Sequence, residues 1–177
     1  IWSAQDQERV FALLRASARP SAFGVISGSQ PPGVPVDFPA SLAQAMPGLQ
    51  VVLDTSGPAL AQAVAHPIPN LAILRMDGDE AETLAGHQLV TRSDTADFAA
   101  GLVAHGVAQM VVVARGADGS VLVDKDRRIF AKAAKVKVKS TVGAGDSFVA
   151  AFVLALARGQ DSATALAMVS GLAPGKL

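Results

Sequence analysis

The chain has 177 residues, a formal net charge of zero and a hydrophobic content of 50%. This composition allows a sizeable core within one domain and gives no electrostatic support for a nucleic-acid partner. The longest apolar run, residues 148–157, is far shorter than the roughly 20 residues that a membrane span requires. Cysteine is absent, which excludes disulfides and thiolate chemistry. We therefore expect a cytoplasmic protein that contacts neither membranes nor nucleic acid.

Helical and strand-like patterns alternate along the chain. Ser3 can cap a first helix over residues 4–16, with Leu13 and Leu14 on its apolar face. Short apolar segments predict strands at 23–27, 50–53, 71–74 and 110–114. The intervening segments predict helices at 37–46, 56–65, 79–84 and from Ser93 to about residue 105. A hairpin is predicted over 120–123 and 128–132, followed by a strand at 136–138 and helices at 148–157 and 164–169.

This alternation predicts an α/β fold in three layers. Continuous apolar strands separated by helices indicate a mostly parallel sheet covered by helices on both faces, with an antiparallel hairpin at one edge. In such sheets the ligand crevice lies beyond the carboxyl ends of the strands. Polar segments follow four predicted strands, at residues 27–29, 54, 77–80 and 115–116. We expect residues 1–177 to form a single domain with its site at that edge.

The segment 140–146 gives the clearest indication of a catalytic site. Gly143 and Gly145 let the backbone approach a ligand closely, and the helix that follows offers unpaired N–H donors in its first turn. Asp146 places a carboxylate beside this anion hole, as required to stabilise a phosphoryl group while a hydroxyl loses its proton. The alternative is an ordinary glycine loop with an aspartate that favours the helix dipole.

Residues 140–150 resemble the signature of the ribokinase-like (PfkB) family of carbohydrate kinases. Residues 26–34, 52–57 and 111–119 resemble further blocks of that family in the same order along the chain. The block at 52–57 is most similar to the branch of the 6-phosphofructokinases, 1-phosphofructokinases and tagatose-6-phosphate kinases. The resemblance implies a ribokinase-like fold and an ATP-dependent, magnesium-dependent kinase that phosphorylates a ketose phosphate such as fructose 6-phosphate.

The resemblance also implies roles for individual residues. Asp146 is implied as the general base, and the backbone of Gly143, Ala144 and Gly145 as the anion hole. Ser29 is implied as a contact to the sugar phosphate. The implied nucleotide contacts are Arg75, Asp77, Arg115, Gly116, Gly119, Ser140 and Val142, and the implied metal ligands are Glu80 and Asp77.

At several of these positions a purely structural role is the alternative. Ser27 and Ser29 can cap a turn, Asp54 can serve as a turn acceptor, and Glu80 can be a solvated acid at a helix start. Arg115 and Gly116 can form an ordinary exit from a strand into a loop.

One motif departs from the family pattern. The family's Lys-Pro-Asn-x-x-Glu corresponds to residues 75–80, where Arg75 keeps the positive charge and Asp77 replaces the asparagine. Because Asp77 adds negative charge beside a triphosphate, a non-catalytic protein that binds nucleotide or sugar phosphate is the alternative function. Family members are longer than this chain. We therefore expect it to belong to a longer protein with an N-terminal substrate and lid portion, which forms a homodimer when complete.

Overall fold

The computed structural model describes residues 3–19, 22–135 and 143–170, and the backbone of residues 175–176. Its helices are α1 Ala4–Ser17, α2 Phe38–Gln44, α3 Gly57–Ala65, α4 Gly78–Ala85, α5 Arg92–Ala104, α6 Ala144–Ala157 and α7 Ser162–Ser170. Its strands are β1 Phe23–Ser27, β2 Gln50–Asp54, β3 Leu71–Asp77, β4 Met110–Ala114, β5 Ser120–Asp124, β6 Arg128–Ala131 and β7 Gly175–Lys176. The predicted strand at 136–138 lies outside the described residues.

The described strands form one sheet in which their spatial order equals their order in the chain. Strands β1 to β4 pair in parallel, because a helix returns the chain to the starting edge after each of the first three. Strands β5, β6 and β7 each run antiparallel to the preceding strand. The expected α/β fold, with a mostly parallel sheet and an antiparallel hairpin at 120–131, is confirmed.

Alternating strand residues supply two apolar cores, one on each face of the sheet. In β4, Val111 and Val113 pack into the core shared with α3, α4 and α5, whereas Val112 packs with α6 and α7. All three valines are fully buried. Burial on both faces explains why the central strands read as continuous apolar runs. None of the helices in the described part of the chain is long and apolar enough to cross a membrane.

Two local predictions were wrong. Helix α5 begins at Arg92 and is capped by Thr91 rather than Ser93, because Thr91 and Asp94 form a reciprocal capping box. In α1, the Ser3 cap is confirmed, but Leu13 does not lie on a buried face, since it is 68% exposed. Only Leu14 of this predicted pair packs against the core.

Strand β3 extends three residues beyond its predicted end at residue 74. Met76 continues the strand because its side chain is completely buried between the sheet and the helices. This extension places Arg75 within the sheet, opposite Asp54 of β2 and Val112 of β4. It also makes Asp77 both the last residue of β3 and the N-cap of α4.

Candidate active site

A small depression of about 170 Å³ lies where the carboxyl ends of β1, β2 and β3 meet the N-terminus of α6. Its lining residues are Ser27, Gly28, Ser29, Asp54, Thr55, Ser56, Arg75, Glu80, Gly143, Gly145 and Asp146. A larger groove of about 920 Å³ lies at the opposite edge, beside the amino ends of the strands. We assign the site to the smaller depression, because it holds the two glycines and Asp146 of the predicted motif and lies at the edge where α/β sheets bind ligands.

The N-terminus of α6 forms one wall of this depression. Gly143 caps the helix with φ +76°, a left-handed conformation that glycine adopts without strain. The amides of the first turn have no acceptors within the helix, so their N–H groups are available to an anion. Asp146 lies in this first turn. The predicted arrangement, with Asp146 in the first turn of a helix that follows the glycines, is present in the structure, and its role as an anion hole stays a prediction.

Asp146 is held by a residue from the other end of the chain. The Ser27 hydroxyl, at the end of β1, donates a hydrogen bond of 3.0 Å to Oδ1 of Asp146. The two residues are 119 positions apart in the sequence. The chain pattern placed both near the same edge of the sheet but gave no indication that they touch.

A nearly buried ion pair lies beneath the glycines. Nη1 of Arg75 donates to Oδ1 of Asp54 at 3.1 Å, and the two side chains are 15% and 10% exposed. A Cβ atom built on Gly145 would lie 3.2 Å from Nη1 of Arg75. A side chain at position 145 would therefore force the guanidinium to shift by a few tenths of an ångström. The sequence assigned Asp54 no definite role, although it lies at a predicted strand end and within the block at 52–57 that resembles the family.

The motif at residues 77–80 forms a capping box for α4. Oδ1 of Asp77 accepts from the amide of Glu80 at 2.9 Å, and Oε2 of Glu80 accepts from the amide of Asp77 at 2.8 Å. Burial raises the pKa of the Glu80 carboxyl above its ordinary value, opposed by the Asp77 amide. The neighbouring carboxylates of Asp77 and Asp54 also raise this pKa, whereas Arg75 lowers it.

Glu80 and Asp77, the two implied metal ligands, line different depressions. Glu80 lines the depression beside Asp146, and Asp77 lines a neighbouring one of about 600 Å³ that also contains Arg115 and Gly116. Within the described residues, no group of three or more histidine or acidic side chains is arranged to hold a metal ion. A cation at this site would therefore need oxygen ligands from phosphate and water, as Mg²⁺ commonly has.

The Arg115 guanidinium is occupied by structural contacts. It donates to the carbonyls of Leu89 and Val90 at 2.9 and 3.0 Å, to Thr95 Oγ1, and to Asp118 at 3.1 Å. These bonds fix the exit of β4 to the segment between α4 and α5. Any nucleotide contact at this position would therefore involve the main chain of Arg115 or Gly116.

Gly119 is required by packing, because a Cβ atom there would lie 2.1 Å from the carbonyl oxygen of Ala131. Ser29 lines the site depression, as expected of a substrate contact. Ser140 and Val142 lie outside the described residues, so their implied contacts stay predictions.

Comparison with known proteins shows the family. Residues 3–174 match the family described as pfkB family carbohydrate kinase, and the chain belongs to it. It is 38% identical over 152 residues to a 1-phosphofructokinase of Xanthomonas campestris pv. campestris, covering 84% of this chain and 46% of that protein. It is also 38% identical over 135 residues to the ATP-dependent 6-phosphofructokinase isozyme 2 of Escherichia coli, covering 75% and 43%.

A third relative is the D-tagatose-1-phosphate kinase of Bacillus licheniformis, 35% identical over 140 residues, covering 76% of this chain and 44% of that protein. Among solved structures, the phosphofructokinase-2 of Escherichia coli in complex with fructose-6-phosphate superposes with a TM-score of 0.85. That structure is 30% identical, with coverage of 96% of this chain and 55% of the other. The expected family and branch are confirmed, and the chain spans about half the length of the curated relatives it matches.

Proposed function

We propose that the full-length gene product is an ATP-dependent kinase that transfers the γ-phosphoryl group to a hydroxyl of a ketose phosphate. The observation that carries this proposal is the position of Asp146, whose carboxylate lies beside the open amides of α6 and near the Arg75 guanidinium. The names of the relatives support a sugar phosphate as acceptor, and fructose 6-phosphate is the first candidate.

In this mechanism Asp146 accepts the proton of the acceptor hydroxyl as its oxygen attacks the γ-phosphorus. The first-turn amides around Gly143, Ala144 and Gly145 hold the negative charge that develops on the phosphoryl oxygens. Arg75 contributes a fixed positive charge next to Gly145, since its guanidinium is held in place by Asp54. Ser29, which lies two residues beyond β1 and lines the depression, is the proposed contact to the sugar phosphate.

The charge balance of the site supports a role for magnesium. Asp54, Glu80 and Asp146 line the depression, and among its described lining residues Arg75 is the one cation. A nucleotide triphosphate would add further negative charge to this excess of carboxylates. A divalent cation bound with ATP would supply positive charge to offset this excess. Glu80 is the residue proposed to hold it, through the carboxylate oxygen that its capping bond leaves open, and the Asp77→Asn variant tests whether Asp77 takes part.

We place the nucleotide across the neighbouring depression formed by Asp77, Arg115 and Gly116. The two depressions meet at the segment 77–80, since Asp77 lines one and Glu80 the other. This arrangement lets one triphosphate reach from the exit of β4 to the anion hole of α6. The backbone around Gly116 and Gly119, together with Ser140 and Val142, supplies the remaining proposed contacts.

The alternative is a non-catalytic protein that binds nucleotide or sugar phosphate, and Asp77 is the residue that favours it. Its charge is partly offset, because the Asp77 carboxylate caps the positive end of α4. ADP release with a panel of ketose phosphates separates the two functions. Release that depends on the sugar supports the kinase, whereas calorimetric binding of nucleotide without release supports the binder.

A second variant tests the role of Asp77 itself. Asp77→Asn keeps the cap on α4 and removes one negative charge beside the proposed triphosphate. We expect it to bind magnesium–ATP more tightly in calorimetry. An unchanged or weaker affinity would indicate that the aspartate contributes directly to holding the cation.

Two broader properties belong to the same proposal. The single sheet, with apolar cores on both faces, supports one domain across the described residues. We also propose that the full-length protein is a cytoplasmic homodimer. Sedimentation of the purified protein at several concentrations tests the dimer, and a mass of one chain at all of them would contradict it.

A further inference from the structure

The contact between Ser27 and Asp146 gives the two carboxylate oxygens of the proposed base different surroundings. Oδ1 of Asp146 accepts the Ser27 hydroxyl at 3.0 Å. Within the described residues, no hydrogen bond reaches Oδ2. Among the described residues, Ser27 therefore anchors one carboxylate oxygen of Asp146 and no residue binds the other.

The backbone that carries Ser27 is fixed by β2 and by the residue that follows it. Ser27 lies opposite Asp54 in the parallel pairing of β1 with β2. The amide of Gly28 donates to the carbonyl of Asp54 at 2.9 Å, and the hydroxyl of the buried Thr55 donates to the carbonyl of Gly28 at 3.0 Å. Gly28 itself has φ +96°. The Ser27 hydroxyl is thus presented from the end of a sheet strand, the kind of rigid element that holds a functional group precisely.

We propose that Ser27 is a positioning residue for Asp146, holding one carboxylate oxygen so that the other faces the hydroxyl to be phosphorylated. The proposal rests on the proposed function, in which Asp146 is the general base. A general base must lie within hydrogen-bond reach of the proton it removes, and such bases are often oriented by a third group. Without the Ser27 hydroxyl, the Asp146 carboxylate loses this restraint, and a smaller fraction of its orientations places an oxygen against the acceptor hydroxyl.

The chemistry leaves Ser27 unchanged. The acceptor hydroxyl loses its proton to Asp146, its oxygen bonds to the γ-phosphorus, and the bond from that phosphorus to the bridging oxygen of ADP breaks. Ser27 keeps its own proton throughout and contacts only Oδ1. The effect of removing the hydroxyl is therefore expected in the rate of transfer and not in the binding of either substrate.

The test uses Ser27→Ala, Ser27→Thr, Asp146→Asn and the double variant of Ser27→Ala with Asp146→Asn in the full-length gene product. With the sugar phosphate that the wild type uses, Ser27→Ala is expected to lower kcat by about 10- to 100-fold. KM for that sugar phosphate stays within about twofold, because a positioning residue adds no ground-state binding. Ser27→Thr, which keeps the hydroxyl, restores most of the rate.

The double variant separates positioning from an independent role. If Ser27 acts through Asp146, Ser27→Ala causes no further loss in the Asp146→Asn background. A further loss of the same size there would overturn the proposal, as would a raised KM with an unchanged kcat, which would indicate direct contact with the sugar. Ser93→Ala is the matched control, since Ser93 is an exposed serine of α5 away from the site.

A measurement without substrate tests the contact directly. The ¹³C chemical shift of the Asp146 carboxyl carbon is expected to differ from that of the wild type in Ser27→Ala and to match it in Ser93→Ala. No movement in Ser27→Ala would overturn the proposal at any level of activity. A wild type that releases no ADP with any sugar phosphate would overturn the proposed function and the positioning role together. An active wild type with a fully active Ser27→Ala would overturn the positioning role alone.

Discussion

Arg75 and Asp54 form an ion pair between neighbouring parallel strands, with 3.1 Å between Nη1 and Oδ1 and with both side chains largely buried. The guanidinium lies against Gly145, at the start of the helix that carries Asp146. Nε of Arg75 is buried and has no hydrogen-bond partner among the described residues. The pair therefore connects the stability of the sheet edge with the positive charge of the candidate site.

Removing Asp54 should destabilise the protein strongly. Asp54→Ala removes the one carboxylate that the buried Arg75 guanidinium bonds among the described residues, and we expect a loss of about 3 kcal/mol in the free energy of unfolding. Urea unfolding measures this loss. The control is Glu8→Ala, which breaks the exposed Glu8–Arg15 pair of α1, whose side chains are 69% and 53% exposed. No measurable loss is expected from the control, and similar losses from both variants would contradict the account.

The cap of α5 offers a comparison between two neighbouring residues. Thr91→Ala removes the side chain that accepts from the Asp94 amide, and should lower the free energy of unfolding by about 1 kcal/mol. Ser93→Ala, at the position that the sequence pattern favoured, should leave stability unchanged. Thermal or urea unfolding of the two variants decides between the caps. A larger loss of stability in Ser93→Ala than in Thr91→Ala would make Ser93 the cap of the helix.

Gly145→Ala should lower the activity of the protein without unfolding it. The added methyl would lie 3.2 Å from Arg75 Nη1, so the guanidinium must shift away from the anion hole. We expect kcat to fall by about 10-fold or more, since small displacements at a reacting centre are costly. The fold should persist, because alanine favours a helix.

Gly101→Ala in α5 is the matched control for this variant. A Cβ atom at position 101 would have nothing within 4 Å, so this variant should be slightly more stable and fully active. Full activity of Gly145→Ala would show that the close approach of Arg75 does not matter for transfer.

Glu80 should make stability depend on pH in a defined direction. Its folded-state pKa is raised above the ordinary value of 4.5, mainly by burial. The folded protein therefore holds this proton more tightly than the unfolded chain. The contribution of Glu80 to stability consequently falls as pH rises from about 4.5 through the raised pKa.

Glu80→Gln keeps the capping box and removes the charge. Relative to the wild type, it should be more stable at pH 7, with the difference shrinking as the pH falls through the raised pKa toward 4.5. Urea unfolding across this range provides the measurement, and a difference that grows toward acid pH would contradict the sign of the shift.

Much of the fold could be predicted because the apolar strands carry a strong signal. Strand β4, with Val111, Val112 and Val113 all buried, matches its predicted bounds, since both faces of the sheet require apolar side chains. The end of β3 could not be predicted, because Arg75 interrupts the apolar run and only its pairing with Asp54 explains its burial. The Thr91 cap was missed because a nearby serine offered the same chemistry.

The candidate site was predictable in parts. The glycines and Asp146 carried a local pattern. Ser29 and Glu80 lie in polar segments that follow predicted strands, and both line the depression, as does Arg75 of the family motif. Contacts between distant segments carried no such signal. The Ser27–Asp146 hydrogen bond and the Arg75–Asp54 pair each join residues from different strands or helices, and depend on the register of the sheet. The commitment of Arg115 to structural contacts was invisible for the same reason.

The most direct test of the central claim is sugar-dependent ADP release by the full-length gene product, compared with that of its Asp146→Asn variant. With fructose 6-phosphate or another ketose phosphate, we expect turnover in the wild type and a loss of about 100- to 10,000-fold in kcat for Asp146→Asn, the usual contribution of a general base. Calorimetry should show that both proteins bind ATP equally. Equal turnover by the two proteins, or a parallel loss of ATP binding and rate, would contradict the assignment of Asp146 as the base of a sugar-phosphate kinase.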